Sequence, residues 1–114
     1  MPERGQPLYL GGNDDEVEKA VTRKNAATGA KEVATGLAGL TFRLAATADG
    51  AAIHATLSKA ATERGATGKY FAIFEGPDLV THLTALAGQD VFEVFGNGAD
   101  VNYNTRRAVV AVRP

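Results

Sequence analysis

The chain has 114 residues, a formal net charge of −1 and no cysteine. That length suits one domain able to bury roughly two thirds of the surface its unfolded form exposes. Near balance between 12 basic and 13 acidic side chains gives no general pull toward nucleic acid or anionic lipid, and the missing thiols exclude disulfide frameworks, cysteine nucleophiles and the commonest structural zinc sites. Much of the 45% hydrophobic content is alanine, which predicts a thin core.

Met1 to Gly5 lacks the basic start and apolar run of a signal peptide, and no stretch approaches the roughly 20 apolar residues that span a bilayer. Assembly in a reducing cytoplasm is the expectation. Residues 1–36 are polar and broken by glycine, and are predicted to form an extended arm with at most a short hairpin. Within it Val17 and Val21 stand four apart, a spacing that suits a helix face and one side of a strand alike. The glycine-ended turn Asn25-Ala26-Ala27-Thr28-Gly29 favours strands on either side, the second near Lys31 to Thr35.

From Leu40 the period is two. Leu40, Phe42 and Leu44 alternate with Thr41, Arg43 and Ala45; Ala48-Asp49-Gly50 offers a tight turn; Ile53, Ala55 and Leu57 then alternate again, so a hairpin is predicted. Ser58 to Gly68 reads as a polar connection. Lys69 to Phe74 carries aromatic and branched side chains on both faces, the mark of a central strand covered from two sides. Pro77 and Asp78 suit a helix's first turn, and Leu79, Leu83 and Leu86 continue it, predicting one short helix from Leu79 to Ala87. Asp90 to Phe95 resumes the strand pattern, Gly96 to Asp100 turns, Val101 to Tyr103 begins a return, and Ala108 to Val112 is a closing apolar strand. Residues 37–114 are therefore expected to form an all-β domain, a β-sandwich of six to seven short antiparallel strands with one helix.

The search for chemistry returns no catalytic, cofactor or metal residues, so no enzymatic activity is expected. His54 and His82 each lack a second histidine or cysteine at ligand spacing. Asn13-Asp14-Asp15-Glu16 has the oxygens for calcium but not the alternating spacing and terminal glutamate of an EF-hand. Gly96-Asn97-Gly98 is followed by neither the glycine nor the lysine of a phosphate loop. Ser58, the one serine, has no base beside it; Glu75 and Asp78 border a turn, where acids are common. Arg106, Arg107 and Arg113 form a modest basic cluster that could meet an acidic partner surface, although most such clusters are merely solvated. The irregularly spaced Ala-Thr-Gly triplets at Ala27, Ala34 and Ala66 are ordinary turn chemistry.

Gly39-Leu40-Thr41-Phe42-Arg43-Leu44, then Asp49-Gly50, then Gly68-Lys69-Tyr70-Phe71-Ala72-Ile73-Phe74 resembles the immunoglobulin-like sandwich domains of tailed-phage virion proteins, such as the N-terminal domain of baseplate upper proteins. The resemblance covers Leu37 to Pro114. It implies a structural component of a tailed bacteriophage virion (head-tail connector, collar, tail or capsid decoration), a homo-oligomer whose partners are copies of itself and other virion proteins. It implies neither cofactor nor catalysis. A carbohydrate- or ligand-binding sandwich module using Tyr9 or Tyr103 as a stacking platform is the alternative.

Overall fold

The structure is a computed structural model that describes residues 3–4, 7–97 and 102–111, and over these it is mostly β with one short α-helix. In chain order the strands are β1 (Glu3–Arg4), β2 (Leu8–Tyr9), β3 (Asp15–Ala20), β4 (Thr22–Lys24), β5 (Lys31–Val33), β6 (Thr41–Ala45), β7 (Ser58–Ala60), β8 (Thr62–Glu63) and β9 (Lys69–Phe74). Helix α1 (Gly76–Leu83) follows, then β10 (Asp90–Gly96) and β11 (Asn102–Val110). The largest sheet runs β1-β11-β10-β6-β7, with β2 also on β11. A three-stranded sheet, β3-β9-β8, faces it, and β4-β5 is a separate ribbon.

The period-two segments fold as their alternation dictates. In β6, Phe42 and Leu44 are buried while Thr41 and Arg43 are half-buried. Opposite them in β10 stand Phe95 and Glu93, and beyond these in β11 Tyr103 and Thr105, so one face of the large sheet is fixed by register. The Phe42 and Phe95 rings lie 4.5 Å apart, and Tyr70 of the facing sheet reaches Phe95 at 6.3 Å. Phe74, Val17, Leu79 and Leu83 close the same core. The predicted turn at Ala48 to Gly50 is present, with Asp49 at φ 58° and Gly50 N–H donating to Thr47 O. Its loop folds back over the far side of the sheet, where Arg43 donates to Gly50 O and Asn104 pairs with Asp49.

Several expectations are corrected. Ile53 to Leu57 is not a strand: after a single antiparallel bridge from Ala52 to Ala45 and an Ile53 N–H donating to Leu44 O, His54 accepts the Thr56 N–H and opens a 3-10 turn over Ala55–Leu57, and pairing with β6 resumes at Ser58. The connection expected from Ser58 to Gly68 thereby holds β7 and β8. β9 is central in its sheet but covered on one side only: Tyr70, Ala72 and Phe74 are buried while Ile73 is 44% exposed. Helix α1 stops at Leu83, and a 3-10 turn carries the chain over Thr84–Leu86. The two strands expected after residue 100 are one, β11; Gly98 to Val101 and Val112 to Pro114 lie outside the described residues. The strands are not all antiparallel, because β1 and β2 pair with β11 in parallel.

Residues 1–36, expected as a polar arm, supply both of those edge strands as well as β3, and send Leu8, Leu10, Val17, Val21 and Ala34 into the common core. A polar knot holds the crossing that follows. Tyr70 Oη donates to Ala34 O at 2.6 Å and accepts from Leu37 N–H, while the Glu63 carboxylate accepts from Gly36 N–H and Gly68 N–H. Gly68 sits at φ +73°, and a Cβ there would lie 2.8 Å from Val33 Cβ. Only glycine allows β9 and β5 to abut at this point.

Candidate functional site

Where β3 faces β11, charged side chains occupy positions that alternation reserves for the interior. Glu93 lies between buried Val91 and Phe95, and Arg107 between Thr105 and Val109, so both point toward the facing sheet. Arg107 donates from Nη1 to Glu93 Oε1 at 2.7 Å and grips Asp15 with both terminal nitrogens, at 2.9 and 3.0 Å. Its side chain is 7% exposed, that of Glu93 8% and that of Asp15 24%. Lys19, next but one to Val17 on the same face of β3, donates to Thr105 Oγ1 at 3.4 Å and holds its ammonium 5.8 Å from the centre of the Tyr103 ring.

Burial raises the Glu93 carboxyl above its ordinary value, against the pull of Arg107. Burial also opposes the charge on Arg107, but the hydrogen bonds and charge of Asp15, then of Glu93, outweigh it and hold the guanidinium firmly protonated. The fork geometry makes Arg107 a bidentate clamp between two sheets. A guanidinium so held keeps its charge, and its bonds tie β3 of one sheet to β10 and β11 of the other.

Asn13-Asp14-Asp15-Glu16 is dispersed by the fold: Asp14 accepts from Gly76 N–H at 2.8 Å, Asp15 takes Arg107, and Glu16 takes Arg64. No group of three metal-ligating side chains occurs among the described residues. Arg106 and Arg107, read together as a solvated cluster, point to opposite faces: Arg106 lies 3.5 Å from Asp90, and Arg107 is inside. Arg113 lies outside the described residues. Ser58 is exposed at the start of β7, Glu75 precedes α1, and Asp78 sits in its first turn.

The two histidines do meet. His54 and His82 stack with ring centres 3.7 Å apart and planes 13° from parallel, joining the 3-10 turn to the last turn of α1. Nothing in their spacing along the chain signals this. Tyr9 and Tyr103 are 57% and 43% exposed, and the Tyr103 ring lies 8° from parallel to Phe95. Searches of family models, curated proteins and solved structures find no match to the chain.

Proposed function

We propose that the chain is a structural component of a tailed-phage particle, an immunoglobulin-like sandwich that works by protein–protein assembly without catalysis. The structural part of this reading is carried by the Asp15–Arg107–Glu93 clamp. This largely buried charged cluster joins two sheets through partners that satisfy one another, an arrangement suited to rigidity. The phage part is supported by the strand sequences Gly39 to Leu44 and Gly68 to Phe74, which occupy adjoining parts of one core as β6 and β9. Sheet edges and exposed apolar side chains, among them Val33, Ile73 and Val80, supply surface for neighbours.

The test is quantitative mass spectrometry of particles purified from the replicon that encodes the chain. A fixed copy number per particle is expected; particles that assemble and infect normally with the gene deleted, and never contain the chain, overturn the reading. A ligand-binding module is the second reading, favoured by the flat Tyr103 ring on Phe95. A glycan array probed with wild type and Tyr103→Ala separates the two, since an assembly protein binds no glycan through this ring.

A further inference from the structure

Strands β3 and β4 are successive halves of one ladder edge. Between them Val21 donates to Gly68 O and accepts from Ala34 N–H, and beyond β4 Asn25 donates to Ala30 O. Every odd-numbered residue in this stretch thus turns its backbone groups toward β9 or β5. By alternation the N–H and C=O groups of Glu16, Glu18, Ala20, Thr22 and Lys24 point the other way, where no strand among the described residues lies. The same five side chains are exposed on the outer face, while Val17 and Val21 point in. No proline or glycine interrupts residues 13–28.

The charges along this edge run from acid to base. Glu16 and Glu18 share the single guanidinium of Arg64, which leaves that end net negative. Lys24 stands directly opposite Lys31 in the ribbon, a like-charge pair that destabilises it. An antiparallel partner with the same sequence, centred on Ala20, meets both needs. Glu16 falls opposite the other copy's Lys24, Glu18 opposite its Thr22, and the small Ala20 opposite itself on the axis. This register also satisfies the pleat, because directly opposed residues of an antiparallel pair must share a face and all five do.

We propose that two copies of the chain pair along residues 16–24 in this register, forming a two-fold dimer with one continuous sheet through β3 and β4 of each copy. The inference deepens the assembly reading and rests on it for the choice of a second copy as occupant. Pairing is isologous, so the contact closes on itself and leaves the large sheet available for other proteins.

The test uses the whole chain in analytical ultracentrifugation and native mass spectrometry. Wild type is expected to dimerise, less strongly as salt rises. Glu16→Lys and Lys24→Glu each place like charges opposite one another twice per dimer, and each is expected to weaken association about tenfold or more. Mixed in equal amounts, the two variants regain complementary pairs at both ends and form a heterodimer. Ala20→Pro removes an outward N–H and abolishes pairing, with circular dichroism reporting that the monomer is folded. A monomeric wild type, or a dimer unchanged by Lys24→Glu and Ala20→Pro alike, overturns this edge. In either case a fixed copy number in the particle still stands for the assembly reading, so the two can fail separately.

Discussion

Arg107 holds two carboxylates, and they are not equivalent. Asp15 receives the bidentate grip and retains some solvent; Glu93 receives one hydrogen bond in a more buried place. Truncating the hub by Arg107→Met leaves two acids facing each other in the interior, and a loss of about 3–5 kcal/mol in urea unfolding is expected. Glu93→Gln keeps an acceptor for Nη1 and leaves a neutral Asp15–Arg107 pair, so it is expected to be neutral or stabilising near pH 7. The sign with pH follows from the raised carboxyl. Below the ordinary value of 4.5 Glu93 is protonated in folded and unfolded chains alike; as pH rises the unfolded chain ionises first, and the stability tied to this group falls until the folded pKa is passed. The stability of wild type minus that of Glu93→Gln should therefore decline as pH rises above about 4.5, and a difference that grows with pH would contradict this assignment.

Helix α1 is placed by what lies under its first turn. The Gly76 N–H donates to Asp14, and a Cβ on Gly76 would stand 1.9 Å from Gly12 O and 2.8 Å from the Asn13 carbonyl carbon. These are backbone atoms that cannot swing aside, so Gly76→Ala must push the helix off the segment before β3. A loss of about 2–4 kcal/mol in thermal or urea unfolding is expected, well above the fraction of a kcal/mol that alanine ordinarily contributes to a helix. The helix itself was legible in Pro77, Asp78 and the leucine spacing, as β6 was in its alternation and β9 in its run of aromatic and branched side chains, because each carries its signal within one short window. The 3-10 turn at Ala55–Leu57 imitates a strand in that same window, where the His54 side chain caps Thr56 N–H and Leu57 turns into the core. Arg107 was hidden by its neighbour: Arg106 and Arg113 suggested a surface cluster, whereas the period shared with Thr105 and Val109 turns it inward. Its partner Asp15 belongs to a different sheet, and no local pattern pairs residues so far apart.

Two-residue strands such as β1 and β2 have no stability of their own; β11 supplies theirs, and they in turn cover its edge. Leu8 is wholly buried in that arrangement. Deleting residues 1–10 is expected to lower the melting temperature by more than 10 °C and to promote aggregation, since removing one buried leucine alone costs about 2–5 kcal/mol. A solvated arm would leave the melting temperature unchanged, which calorimetry distinguishes directly. The register of these strands also bears on how the protein is made. Leu8 lies opposite Val109 and Glu3 opposite Thr105, so the edge of the largest sheet waits for segments at the far end of the sequence. During translation the early strands leave the ribosome long before their partner exists, and loop closure over nearly the whole chain must precede any gain from pairing. The long closure is expected to make refolding slow for a domain of this size, and a stopped-flow refolding rate checks it.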